Sequence, residues 1–246
     1  MKNLPTLMGV VATLLAGACT GSETGNGARE TKPVEVRMTL VPGSDGRLLA
    51  ADQGGSAFEI VDATAIVDRI DLLLPDGEAC VETLGGSVAY EAFCTHDEGR
   101  VRVEGPWVFD LVTGESSPSL EALELPLGPV ERVEVRLAPG ARDAWTIAAD
   151  GIVGERDFRL ELRMGDVIRF EGEGLTVDAM TVRLGLDLDP AGWFAGVDLT
   201  ACDAAGGIPT DTEGVLLLDR ASVQLCGPIA TKITGAVRMA AKARSE

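Results

Sequence analysis

The chain has 246 residues, with 39 acids against 21 bases and a formal charge of −18. That balance argues against a nucleic-acid partner, whose phosphates need a basic surface, and against a second, electrostatic hold on a membrane. With 46 % hydrophobic and 24 % charged residues the chain can bury a core, and with only 4 % aromatics that core must rest on Val, Leu, Ile and Ala.

The chain starts Met1-Lys2, runs apolar from Leu4 to Ala16, and closes on Ala16-Gly17-Ala18-Cys19. About thirteen apolar residues are too few to span a bilayer as a helix, which takes roughly twenty. The pattern fits a secretory leader. Small residues before a cysteine make it a lipoprotein signal over 1–18, with Cys19 as the lipidated first residue of the mature chain. An ordinary secretory signal, cut at the same small residues, is the rival. Residues 19–32 hold Gly21, Gly25, Gly27 and a single apolar side chain, Ala28. They read as a flexible tether with a typical reach of about 20 Å. Thr20 is not acidic, which by the best-studied Gram-negative sorting rule points to the outer membrane. Removing residues 1–18 takes away one basic residue, Lys2, and leaves −19.

Residues 33–239 carry period-two alternation, the mark of half-buried strands. It is seen in Val34–Leu40, Glu131–Leu137, Phe158–Met164 and Ile229–Met239. Further strands are expected around Phe58–Val61, Ala65–Leu74, Val88–Phe93, Trp107–Val112, Trp145–Val153 and Val215–Leu225. Asp62–Ile70 could instead begin as a short helix capped by Asp62. Between Leu175 and Leu188 the apolar parity changes, which predicts a β-bulge near Asp178-Ala179. Turn residues separate the strands at Pro42–Gly46, Pro75–Gly77, Pro139-Gly140 and Gly206–Pro209. The expected class is an all-β antiparallel sandwich of transthyretin or immunoglobulin type. One domain over 33–239 is preferred to two over 33–138 and 143–239. Residues 240–246 form a polar tail.

Apart from Cys19 there are four cysteines, an even number that suits an exported chain with two disulfides. Three pairings are open to Cys80, Cys94, Cys202 and Cys226. Proximity favours Cys80–Cys94 and Cys202–Cys226, since short loops close most readily. Zinc ligation would need tighter paired spacings.

The start Cys19–Asn26 resembles that of envelope lipoproteins from myxobacteria and related lineages. Ala65–Pro75, Trp107–Gly114 and Leu125–Leu137 are similar to segments of an uncharacterised bacterial lipoprotein family. The likeness covers about a third of the chain. It implies a transthyretin-like β-sandwich and an envelope location, and it implies no activity and no site residues.

No catalytic constellation is legible. The one histidine, His96, lies in the polar loop Cys94-Thr-His-Asp-Glu98. There is no Gly-x-Ser-x-Gly elbow, zinc-protease helix, phosphate loop or dinucleotide fingerprint. Trp107 and Trp145 read as core; the only tyrosine is Tyr90. Trp193 and Phe194 lie in a Pro/Gly-rich loop and are the candidates for ligand or partner contact, with capping the end of the sandwich as the default reading. The run Asp187–Asp198 echoes a calcium loop, with Asp187, Asp189 and Asp198 as ligands, although Ala191 and Asp198 depart from the usual pattern. Asp203, Asp211 and Glu213 could add oxygens. The sequence therefore predicts a non-enzymatic, lipid-anchored envelope protein that binds or organises an envelope protein or glycan. A calcium-dependent glycan-binding or adhesive module is the first rival, and a carboxylate-based hydrolase the second.

Overall fold

A computed structural model describes residues 30–75, 91–95, 99–138 and 145–246. The leader with Cys19, and Cys80, Tyr90 and His96, lie outside the described residues, as does the Cys94 side chain.

The chain opens with β1 (Thr31–Leu40), β2 (Leu49–Ala51) and the long β3 (Ala57–Leu73), followed by β4 (Glu91–Thr95) and β5 (Arg100–Asp110). Short strands β6 (Ser116–Ser117), β7 (Leu123–Pro126) and β8 (Gly128–Pro129) lead to β9 (Arg132–Leu137). After it come β10 (Ile147–Val153), β11 (Arg156–Leu162), β12 (Val167–Phe170), β13 (Thr176–Val177) and β14 (Arg183–Leu188). The last quarter holds α1 (Leu199–Ala204), β15 (Leu216–Leu217), α2 (Val223–Cys226), α3 (Ile229–Met239) and β16 (Ala241–Ser245).

Two sheets form a sandwich. One runs β16-β14-β1-β7; the other runs β12-β9-β3-β10-β11-β15, with β2, β4, β5 and β6 attached beside β3. Most pairings are antiparallel, as expected, but β1 lies parallel to β14 and β11 parallel to β15. This order establishes the sandwich and not an immunoglobulin or transthyretin connectivity. Strands from before and after residue 139 share both sheets, through β1–β14 and β3–β10. Alternation does its expected work: Val34, Val36, Met38 and Leu40 face inward opposite the inward Leu184, Leu186 and Leu188. Outside that face, Glu35, Arg183, Glu246, Arg244 and Asp187 pair in an alternating chain of charges.

β3 organises the larger sheet. It pairs β2 over Ala57–Glu59, β10 from Phe58 to Ala65, β5 from Thr64 to Leu73 and β9 from Val67 to Leu73. The register slips where β10 passes Val61 and again at Asp68. Each slip switches which parity points inward. The core-facing set therefore runs Phe58, Ile60, then Ala63, Ala65, Val67, then Ile70, Leu72. The strands expected at Phe58–Val61 and Ala65–Leu74 are one continuous strand, and the alternative of a short helix from Asp62 does not form.

Four expectations are corrected. Residues 240–246 are not a polar tail outside the fold, because Ala241–Ser245 pair with β14 as the edge of the smaller sheet. Ile229–Met239 is a helix, not a strand, with Ile229, Ile233 and Val237 buried and Met239 exposed. Val215–Leu225 is strand only at Leu216–Leu217 and is otherwise turns and short helices. The parity change after Val177 is not a bulge within one strand. β13 pairs β8, β14 pairs β1 in another sheet, and a turn separates them, held by Asp178 accepting from the Met180 and Thr181 amides.

Gly151 sits at the first register slip. A Cβ there would stand 2.1 Å from the Glu59 carbonyl oxygen and 2.6 Å from the Phe158 ring, whereas one on Gly165 would meet nothing within 4 Å. Gly151→Ala is expected to cost about 1–3 kcal/mol of stability by overpacking. Gly165→Ala should stay within about 0.5 kcal/mol of wild type. Urea midpoints of the two variants check this, and equal midpoints would contradict the packing described.

Candidate functional site

The last quarter of the chain folds over one end of the sandwich. α1 has six residues and α2 four, lengths at which a helix is not stable by itself in water. Local chemistry and long-range contacts hold them instead. Asp198 caps α1, its carboxylate accepting from the Ala201 amide at 2.8 Å. Cys202 in α1 is joined to Cys226 at the end of α2, as proximity in the sequence suggested. For a separation of 24 residues, the chain-entropy model gives such a bond about 3.5 kcal/mol. Gly207 lies so close to this bond that a Cβ would stand 2.2 Å from the Cys226 sulfur.

The cap is tied to the sheet by Asp52, which is 5 % exposed at the start of the β2–β3 turn. Its Oδ1 accepts from the Ser56 amide at 2.8 Å. Its Oδ2 accepts from the Thr200 amide at 3.1 Å and the Thr200 hydroxyl at 3.0 Å. The Gln53 amide donates to the Val197 carbonyl beside it. Burial alone would push the Asp52 carboxyl up. The hydrogen bonds from Thr200, Ser56 and Gly54 outweigh that and hold it below its ordinary range.

Between the turn and the cap lies a pocket of about 370 Å³. Phe58, Val153, Leu199, Ile208, Leu216 and Leu218 give it an apolar interior. Ser56 and Thr200 supply its hydroxyls, with their oxygens 2.7 Å apart. At the rim Arg156 pairs with Asp203 at 2.6 Å. A wider groove of about 730 Å³ lies where β12 meets β16, lined by Glu131, Arg132, Glu171, Glu173 and Lys242. The apolar pocket is the better candidate, because binding sites for small molecules are concave, mostly apolar and carry a few placed polar groups.

The residues singled out from sequence behave differently. Trp193 and Phe194 are fully buried, which agrees with capping the sandwich end and removes them as candidates for ligand or partner contact. Phe194 meets Phe58 and Phe158 edge-on, with ring centroids 5.0 and 6.1 Å away, so this pair fills the end of the core. Trp107 is core as expected, and Trp145 is half-buried. Asp187, Asp189 and Asp198 do not converge on a calcium ion. Asp187 takes Arg244 and Thr39, Asp189 accepts from the Ala191 amide, and Asp198 caps α1. Asp203 pairs with Arg156, and Asp211 accepts from the Glu213 and Val215 amides. Among the described residues no three His, Cys, Asp or Glu side chains stand together as a metal site would need. Asp52, Ser56, Thr200 and Arg156 were not singled out by sequence. Asp52-Gln-Gly-Gly-Ser56 reads as a turn, but nothing in it announces a partner 148 residues away.

The class defined by fold and site is thus an all-β sandwich with a helical cap and an apolar pocket beneath it. No family model matches the chain. No curated protein matches it either. Among solved structures, MbnP from Methylosinus trichosporium aligns with a TM-score of 0.40 at 14 % identity, over 69 % of this chain and 79 % of that one. Nothing about the site is carried over from it.

Asp52 makes a pH prediction. Its carboxyl is held below the ordinary value of 3.8. Its contribution to stability is therefore full above about pH 4–5 and is lost as pH falls through the folded value. Asp52→Asn should destabilise the protein at pH 7 by about 1–3 kcal/mol and flatten the acid side of its stability curve. Urea unfolding from pH 7 to pH 2.5 measures both, and parallel curves for variant and wild type would contradict the role given to Asp52.

Proposed function

We propose that this chain is a lipid-anchored, non-enzymatic protein of the cell envelope, held in the outer membrane, that binds a small apolar ligand. The pocket under α1 is the observation that carries the binding reading, because its interior is apolar and its polar side chains are few: Ser56, Thr200, Arg156 and Asp203. Ser56 faces a threonine hydroxyl rather than a base, which suits binding and not nucleophilic attack. The anchor rests on Cys19 and the short apolar leader before it. No helix among the described residues is long and apolar enough to cross a membrane. A diacylglyceryl-plus-acyl group at Cys19 would supply the multiple chains that stable attachment requires.

Two variants of the full chain test this in a Gram-negative host. Cys19→Ala should abolish the lipid mass on the mature chain and its recovery with membranes. Ala57→Trp places a ring at the exposed mouth of the pocket and should weaken binding of the apolar fluorophore N-phenyl-1-naphthylamine at least tenfold with little change in melting temperature. A Cys19→Ala chain that fractionates like wild type removes the anchor. Undiminished fluorophore binding by Ala57→Trp removes the pocket.

A further inference from the structure

The hydrogen bonds around Asp52 fix which way the pocket's two hydroxyls point. A carboxylate can only accept. Thr200 Oγ1 lies 3.0 Å from Asp52 Oδ2, so the single Thr200 hydroxyl proton is directed there. Ser56 Oγ lies 2.7 Å from Thr200 Oγ1. With the Thr200 proton committed, Ser56 must be the donor of that contact. Both hydroxyl protons are then spent inside the protein. Lone pairs are what this wall has left to offer, so it can accept a hydrogen bond and cannot donate one from these side chains. The buried charge of Asp52 behind them adds negative potential to the same wall. At the rim Arg156 is matched by Asp203, three residues after Thr200 in α1, so this pair brings no net charge.

We propose that the pocket selects a neutral aliphatic alcohol, its hydroxyl donating to Ser56 Oγ and its chain lying on Phe58, Leu199, Ile208 and Leu216. This rests on the pocket being a ligand site, and it adds the chemical class of the ligand. A carboxylate end would set its lone pairs against those of Ser56 and its charge against Asp52. An ether or ketone would have no proton to give. An alkane would leave the Ser56 oxygen without its water and without a replacement.

Ligand-observed NMR on the full chain can compare 1-octanol, heptyl methyl ether and octanoate, which match in size and differ in donor and charge. Octanol is expected to bind about five- to tenfold more tightly than the ether, the size of one net hydrogen bond, and more tightly still than octanoate. Ser56→Ala should bring octanol down to the ether and leave the ether unchanged, since the Ser56 amide still serves Asp52. Equal binding of octanol and ether to wild type overturns the donor rule while the pocket stands. Tightest binding by octanoate overturns it in favour of Arg156 as the anchor. Binding of none of the three overturns the pocket reading itself, and the ligand class with it.

Discussion

The structure depends on one strand being able to change face twice without leaving its sheet. β3 spans 17 residues and meets β2, β5, β9 and β10. An unbroken two-residue repeat that put Phe58 and Ile60 inside would put Ala63, Ala65 and Val67 in water. The slips at Val61 and Asp68 reverse the parity and keep all seven inward positions on one core. A bulge costs local pairing, but here each one secures the burial of two or three apolar side chains. At about 25 cal/mol per Å² of apolar surface, that burial outweighs one lost ladder bond. The same geometry sends the start of β3 to the open end of the sandwich, where Ser56, Ala57 and Phe58 meet the cap.

The cap depends on the sheet and could not stand alone. Its helices are too short to persist in water, so the disulfide, the Asp198 cap and Asp52 decide its position. Asp52 does most to connect site and scaffold. It closes its own turn through the Ser56 amide and reaches α1 through two groups of Thr200. Hydrogen bonds to a charged group are worth about 1.5–3 kcal/mol each, so the turn and the helix are set against one another firmly. That setting shapes the pocket and orients its hydroxyls together. Stability and ligand choice thus rest on the same carboxylate.

Much of the fold was legible in the sequence, and the errors have physical causes. Val34–Leu40, Arg132–Leu137 and Arg156–Leu162 alternate cleanly and are strands. Ile229, Ile233 and Val237 are spaced by four, a spacing that strand and helix share. Thr231 and Gly235, which a buried strand face would have filled with apolar residues, were the clue to the helix. In β3 the slips place Ala63, Val67 and Ile70 at helical spacing, which is why a helix start could be read there. The apolar residues either side of Asp178 belong to different sheets, and a parity change cannot distinguish that from a bulge. For the site, local composition did not decide. A loop rich in Pro and Gly left Trp193 and Phe194 open to two readings, surface contact or the end of the core, and they fill the end of the core. The calcium-like spacing begins at the end of strand β14, where Asp187 already has Arg244. The contact of Asp52 with Thr200 is set by tertiary folding alone and has no local signature.

The most direct test is to map where an alcohol lands on the folded chain. In amide NMR spectra of the full protein titrated with 1-octanol, shifts should concentrate at Ser56, Val153, Thr200, Ile208 and Leu216, with the groove at Glu171 and Lys242 unmoved. Shifts centred on that groove, or spread evenly over the surface, would contradict it.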